Sequence, residues 1–168
     1  MHPAIELVLR GIFIGAGATL LIDLWAALLR RFGVPSLNFA LLGRWIGHLP
    51  EGRFIHESIA KAAPVPRESL IGWLAHYAIG VSFAGLLLAM FGLDWARSPT
   101  FGPALLVGIG TLPAPLFVLQ PALGAGIASS KTPRPVFNTF KSLTTHAVFG
   151  VGLFLAALLG ARLFPSLG

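Results

Sequence analysis

The sequence predicts an all-α integral membrane protein: a bundle of four transmembrane helices, with short interfacial helices between spans one and two. Two observations predict this class. Only 11% of the residues are charged, whereas a soluble domain carries about 25%, so the chain lacks the charge to cover a water-facing surface. Four stretches also have about the 20 apolar residues that a helix needs to cross a bilayer. We expect a single membrane domain over residues 1–168.

The four predicted spans cover about residues 4–31, 69–92, 101–121 and 136–163. The first is too long, and too poor in Lys and Arg at its start, to be a cleaved signal peptide, so we expect it to be retained. The third contains Pro113, Pro115 and Pro121, and we expect it to be kinked or broken near its cytoplasmic end. The chain has no cysteine, which excludes disulfides, thiolate metal sites and iron–sulfur clusters.

The segment between spans one and two, about residues 36–62, is too apolar for a disordered linker. Its stretches SLNFALLGRWIGHL and FIHESIAKAA are typical of short helices, and Ser36 is a candidate cap for the first. We interpret both as interfacial helices, with Trp45 at headgroup depth. The connection between spans three and four, QPALGAGIASSKTPRP, we expect to be an ordered loop or a re-entrant corner.

The basic residues indicate the orientation. Nine of the twelve Lys and Arg residues flank the connections between spans one and two and between spans three and four. The positive-inside rule therefore predicts that these connections are cytoplasmic and that both termini lie outside. Because the charges flank spans, we expect membrane lipids, including anionic headgroups, as partners, and no nucleic acid. A homo-oligomer or a membrane-protein partner is left open.

The two halves of the chain share a short pattern. HYAIGV in span two matches HAVFGV in span four, and IGAGATL in span one resembles VGIGTL in span three. One interpretation is a parallel internal repeat, with two helix pairs related by an axis along the membrane normal. The other is chance similarity between apolar, glycine-rich helices.

Three spans carry a stripe of small and polar residues at i, i+4 spacing, which places them on one helix face. The stripes are Gly11, Gly15, Thr19 and Asp23; then Gly72, His76, Gly80 and Ala84; then Asn138, Ser142, His146 and Gly150. Small residues let helices approach closely, and each stripe holds one ionisable group. We therefore expect the stripes to face one another.

The ionisable groups of the stripes have similar depths. His76 and His146 lie about 10–15 Å into their spans from the cytoplasmic side, and Asp23 lies at a similar depth on the antiparallel first span. Gln120 closes span three on the same side. We predict that Asp23, His76 and His146 point into one interior cavity, with Gln120 at its rim.

Three further residues complete the candidate substrate-binding set. Thr19 lies one turn before Asp23, although hydroxyls in helices usually bond back to their own helix. Arg44 and His48, in GRWIGH, lie near the cytoplasmic mouth. The segment around them is either an interfacial surface or a lid in which Arg44 or Arg53 holds an anionic group.

The leading functional hypothesis is that Asp23 and the two histidines bind or transport a small cargo or a proton. The main alternative is an accessory or structural subunit of a membrane complex, in which Asp–His contacts only hold the bundle together. Axial ligation of a b-type haem by His76 and His146 is a further alternative, as is a divalent-metal site of Asp23, His76 and His146. No triad, metalloprotease or dinucleotide motif is present, so an intramembrane enzyme is not favoured and no catalytic residue is assigned.

Several motifs together resemble a known family. They are LLIDLWAALLRRFGVPSLN, GRWIGH, GWLAHY, QPALGAGIASS and SLTTHAVFGVGLFLAALLG, and they cover nearly the whole chain. They are similar to an uncharacterised family of bacterial four-span inner-membrane proteins, a domain of unknown function. The resemblance implies a multi-pass protein of the bacterial inner membrane. In that membrane, the charge distribution described above predicts that both termini are periplasmic. It assigns no functional residue.

Overall fold

The structure, a computed structural model, describes residues 2–36 and 38–164. Within them the protein is all-helical and has no strand. The helices are α1 (Pro3–Arg31), α2 (Phe39–His48), α3 (Glu68–Arg97), α4 (Phe101–Gly110), α5 (Gln120–Ala122) and α6 (Pro135–Leu163). Short 3₁₀ turns lie at Leu49–Glu51, Ile59–Lys61 and Ile127–Ser129. The predicted fold class is confirmed.

Four helical segments are long and apolar enough to cross a membrane: Pro3–Arg31, Glu68–Arg97, Phe101–Ala122 and Pro135–Leu163. The protein is therefore a multi-pass membrane protein of four spans, as predicted. The second helical segment runs beyond its predicted end at residue 92, because helical residues resume after Gly92 and continue to Arg97. Gly92 itself has φ +76°, a conformation that favours glycine and that interrupts the helix at this point.

The third span is irregular, as its prolines predict. α4 ends at Gly110, and a π-helical segment over Ala114–Leu119 follows before the short α5. Pro113 and Pro115 supply no backbone N–H and so cannot continue a regular i to i−4 ladder. Wider helical turns of this kind occur in short pieces and frequently at functional sites.

The contacts divide the described chain into two compact units. The first unit is drawn from 1–34, 77–111 and 145–168, and the second from 35–76 and 112–144. The core of the first unit is apolar and tightly packed, and its most buried side chains include Ile14, Leu87, Leu88 and Leu153. The single membrane domain stays a prediction.

Small residues set the helix contacts of the first unit. A Cβ added at Gly80 of α3 would overlap the Thr19 hydroxyl oxygen of α1, and one added at Gly108 of α4 would lie 2.5 Å from the Cα of Gly150 in α6. These helices therefore approach to backbone distance, as small residues allow. The expected meeting of the stripes is confirmed for Thr19 and Gly80, whereas Gly150 of the third stripe lies against Leu105 of α4 and not against another stripe.

The same contacts bear on the proposed repeat. Gly80 and Gly150 are the glycines of the shared pattern in spans two and four. Gly80 lies against Thr19 of span one, and Gly150 lies against Leu105 of span three. Each glycine thus contacts the span that precedes its own, which is what a repeat requires; the repeat itself stays a prediction.

The second unit contains the ordered segment between spans one and two. Asn38, and not Ser36, caps α2, because its side-chain oxygen accepts the Ala40 N–H at 3.0 Å. α2 packs closely on the start of α3: a Cβ at Gly43 would overlap the Glu68 carbonyl oxygen, and one at Gly72 would overlap that of Phe39. The helix predicted from the first stretch is confirmed, and its interfacial position stays a prediction.

The second predicted interfacial helix is wrong beyond one turn, Ile59–Lys61. The physical reason is competition from tertiary hydrogen bonds. The His56 amide donates to the Ala122 carbonyl at 3.0 Å, and the Ile59 amide donates to the Leu123 carbonyl at 3.1 Å. These bonds draw the backbone away from a helix and bind it to the loop after α5, which is ordered, as predicted.

Candidate intramembrane polar site

Asp23 is paired with a hydroxyl in the first unit. The Tyr77 hydroxyl of α3 donates a hydrogen bond of 2.9 Å to Asp23 Oδ2 of α1, and both side chains are half-buried. Tyr77 was not among the predicted site residues. It is the only tyrosine in the chain, and a phenol within an apolar span needs a hydrogen-bond partner, so this signal was present in the sequence.

His146 is held at the end of α4. Its Nδ1 lies 3.0 Å from the Gly108 carbonyl oxygen and 3.2 Å from the Thr111 hydroxyl, which itself donates to the Gly108 carbonyl at 2.9 Å. A carbonyl oxygen only accepts, so the Gly108 contact favours the tautomer with the proton on Nδ1. In that tautomer Nε2 carries the lone pair and is the nitrogen that can bind a proton.

Thr19 is a packing residue in the described structure. Its side chain is 1% exposed, and its hydroxyl donates to the Gly15 carbonyl one turn earlier at 2.8 Å. This is the back-bonding expected of a threonine within a helix. The hydroxyl also lies against Gly80 of α3. Thr19 therefore joins α1 to α3 one turn away from Asp23.

His76 lies in an aromatic cluster of the second unit. Its ring stacks on Phe39 with centroids 4.2 Å apart and meets Trp73 edge-on at 5.9 Å. Phe39 is the first residue of α2, so this cluster links α2 to α3. A protonated imidazole would gain a cation–π contact with these rings.

Gln120 belongs to a network of neutral polar groups in the second unit. Its amide nitrogen donates to the Ser142 hydroxyl at 3.3 Å, and its amide oxygen accepts from the Ser129 hydroxyl at 3.0 Å. Ser129 is buried and adopts φ +63°, which is uncommon for a residue with a side chain. The network ties α5 to α6 and to the loop between them.

Arg44 makes a bidentate pair with Glu68, through Nε and Nη2 at 2.8 Å each. Its Nη1 points to three carbonyl oxygens between residues 59 and 62, at 3.1 to 3.4 Å. The hydrogen bond to Glu68 raises the pKa of Arg44 above its ordinary value. An anionic ligand would have to displace these contacts, so Arg44 acts here as a clamp between α2, the 3₁₀ turn and α3.

His48 is buried at the end of α2. Its Nε2 lies 2.9 Å from the Ala63 carbonyl oxygen, and its Nδ1 lies 3.4 Å from Nε2 of His56. The two rings meet edge-on, with centroids 5.1 Å apart. The carbonyl contact favours a proton on His48 Nε2, so His56 is the donor within the pair.

Two buried polar atoms have no hydrogen-bond partner within the described residues: Trp25 Nε1 in the first unit and His56 Nδ1 in the second. Buried polar atoms are nearly always paired, with protein groups or with ordered water. A bound water or polar ligand at either atom would therefore supply a hydrogen bond that the protein itself does not.

An ionic cluster at the other end of the first unit was missed from the sequence. Glu6 accepts from Arg10 Nε at 2.9 Å and from Arg97 Nε and Nη2 at 3.1 and 2.8 Å. Glu6 is 5% exposed and Arg10 is 2% exposed. Glu6 and Arg10 are an i, i+4 pair, which the sequence does signal, but Arg97 lies 91 positions away from Glu6 along the chain.

The predicted cavity shared by four residues stays a prediction. Asp23 and His146 belong to the first unit, whereas His76 and Gln120 belong to the second. Each of them has its own partners within its unit. The described part of the chain contains no group of three or more His, Cys, Asp or Glu side chains placed to hold a metal ion.

Comparison with known proteins identifies the family. A family profile described as "Protein of unknown function (DUF2938)" matches residues 12–160. The chain belongs to the DUF2938 family. No curated protein and no solved structure matches the chain.

The DUF2938 match confirms the resemblance noted in the sequence. The matched range includes Asp23, Tyr77, Thr111 and His146, whereas Glu6 and Arg10 precede it. Because DUF2938 is defined without an activity, the roles of these residues rest on their geometry in this protein.

Proposed function

We propose that this protein is a small carrier of the bacterial inner membrane that binds a proton or a small polar cargo at Asp23. The observation that carries the proposal is the 2.9 Å hydrogen bond from Tyr77 to Asp23, between two helices long enough to span the membrane. An ionisable side chain within a span is costly to insert, and such residues usually serve ion pathways, proton relays or ligand binding.

The chemistry of the partner favours exchange. An ionised Asp23 accepts a hydrogen bond from the Tyr77 hydroxyl, and a protonated Asp23 can donate one to the phenolic oxygen. Glu6, in contrast, is held by two guanidinium groups that favour only its charged form. Asp23 can therefore take up and release a proton, or a bound cation, while it keeps its neighbour.

His146 supplies a second proton-binding group in the same unit. With Nδ1 directed at the Gly108 carbonyl, its Nε2 is available as a base. α4 ends at Gly110, and the residue after it, Thr111, contacts this histidine within the first unit. Interrupted spans of this kind supply binding groups in many carriers.

The orientation of the proposed carrier follows from charge. Nine of the twelve basic residues flank two of the three connections, so we place these connections in the cytoplasm and both termini in the periplasm. Asp23 then lies in the cytoplasmic half of α1, about 12 Å from the end of that helix at 1.5 Å per residue. The basic connections would contact anionic lipid headgroups.

The test is a pH titration of the purified protein in lipid, followed by infrared difference spectroscopy of the carboxyl C=O stretch. We expect a band from a protonated carboxyl within the spans that is absent in Asp23→Asn and shifted in Tyr77→Phe. Glu51→Gln is the matched control, because that carboxylate lies outside the spans and is exposed. If Asp23 keeps one protonation state from about pH 4 to pH 9, the carrier proposal is wrong, and the pair is a structural contact as an accessory subunit would have.

A further inference from the structure

We propose that Glu6, Arg10 and Arg97 form a gate that closes the Asp23 site from the membrane face on which α1 begins. The inference rests on the proposed function, because a gate has meaning only if Asp23 binds a proton or cargo. It assigns a role to an ionic cluster that takes no part in the binding described above.

The cluster joins three helix ends in the first unit. Arg10 lies on α1 and donates from Nη1 to the Ala96 carbonyl near the end of α3 at 3.3 Å. Its Nη2 donates to the carbonyl of Phe164, directly after α6. Arg97, at the end of α3, makes two hydrogen bonds to the Glu6 carboxylate of α1. Separation of these helix ends would break every one of these bonds.

The cluster also lies at one end of a closely packed interior. Arg10 and Asp23 lie 13 positions apart on α1, about 20 Å at 1.5 Å per residue. The interior of the first unit between Arg10 and Asp23 contains side chains that are at most 1% exposed, including Ile14, Ala18 and Leu153. Access to Asp23 from this face therefore requires the helix ends to part, beginning at the ionic cluster.

Ion pairs suit a closure that opens. Replacement of a buried ion pair by apolar groups is often neutral or stabilising, so ionic groups are a poor choice for stability alone. When the helix ends separate, the carboxylate and guanidinium groups can replace their hydrogen bonds to each other with hydrogen bonds to water. Apolar side chains at the same place would instead expose surface that water solvates poorly. Arg97 is already partly exposed, so water can reach the outer side of the cluster.

The chain contains no cysteine, which permits a clean accessibility test. A single thiol is introduced by Ala157→Cys at a fully buried position of α6, between the levels of Arg10 and Asp23, since the adjacent Ala156 lies against Gly17. A membrane-impermeant thiol reagent is added from the face on which α1 begins. Ala4→Cys, at an exposed position, marks that face and serves as the positive control.

The gate is opened by Arg97→Gln. This change leaves Glu6 paired with Arg10, so it strands no unpaired carboxylate. We expect the thiol at position 157 to react at least tenfold faster than in the Ala157→Cys protein with an intact cluster. Arg97→Lys keeps the charge but cannot make the two parallel hydrogen bonds. Its labelling rate should therefore lie between that of the intact cluster and that of Arg97→Gln.

Glu68→Gln is the matched control, because it breaks a bidentate Arg–Glu pair of similar length in the second unit. It should leave the labelling rate at position 157 unchanged. An unchanged rate in Arg97→Gln, or an equal rise in Arg97→Gln and Glu68→Gln, would overturn the gate. The labelling rate does not depend on titration of Asp23, so failure of the carrier proposal in the infrared test and failure of the gate are separate results.

Discussion

Gly80 of α3 lies directly against the hydroxyl oxygen of Thr19 in α1, with no room for a Cβ between them. Thr19 is fixed in turn by its hydrogen bond to the Gly15 carbonyl, so the contact joins two buried positions of α1 to one of α3. Asp23 and Tyr77 form their hydrogen bond on the same pair of helices, about one turn farther along. The approach of these two helices therefore determines whether that bond can form.

Gly80→Ala should destabilise the protein by about 1–3 kcal/mol, because the added methyl group forces α1 and α3 apart. The measurement is unfolding in detergent or lipid, with the Tyr77–Asp23 bond followed by infrared spectroscopy. Gly85→Ala is the control on the same helix, since nothing lies within 4 Å of its added Cβ. Equal effects of the two changes would show that the contact is not tight.

Gly43→Ala should loosen α2 from the start of α3. The added Cβ would overlap the Glu68 carbonyl, and backbone atoms cannot turn aside as a side chain can. We expect a loss at or above the upper end of about 1–3 kcal/mol, and faster proteolysis of the connection over residues 35–67. In Gly47→Ala the nearest atoms to the added Cβ belong to the Val65 side chain, which can move, so this change should cost less; the opposite order would contradict the packing of α2.

Thr111→Val should change the environment of His146. The substitution removes the hydroxyl that lies 3.2 Å from His146 Nδ1 and that also donates to the Gly108 carbonyl, at a cost of about 1 kcal/mol. Imidazole ¹⁵N chemical shifts should report an altered balance between the two tautomers. Thr111→Ser keeps the hydroxyl and should restore the shifts; if Thr111→Val leaves them unchanged, the hydroxyl does not set the tautomer.

Both termini should lie on the side opposite to the basic connections. A reporter that is active only in the cytoplasm, fused after Gly168, should be silent, whereas one inserted after Gly52 in the first connection should be active. The physical reason is that Lys and Arg are retained on the cytoplasmic side, and nine of the twelve lie in or beside these two connections. Cytoplasmic activity of the fusion after Gly168 would contradict the proposed orientation and with it the placement of Asp23.

Hydropathy and spacing were sufficient for the spans and for part of the helix contacts. Runs of apolar residues predict four spans without any knowledge of the tertiary contacts, because transfer of a helix into the bilayer depends on its own composition. The i, i+4 stripe through Thr19, and that through Gly80, predicted a contact that the structure contains. The single turn at Ile59–Lys61 was mispredicted as a longer helix, because its competing hydrogen bonds come from Ala122 and Leu123, far along the chain.

The sequence by itself determined that this is a four-span membrane protein, and it marked Asp23 and His146 as costly groups within the spans. Only the tertiary structure decided their partners. Tyr77 is 54 positions from Asp23, and Thr111 is 35 positions from His146. The reason is physical: a buried polar group is satisfied by whichever partner the packing of small residues brings within about 3 Å. Sequence spacing shows which residues share a helix face, but it does not show which polar group of another helix lies opposite.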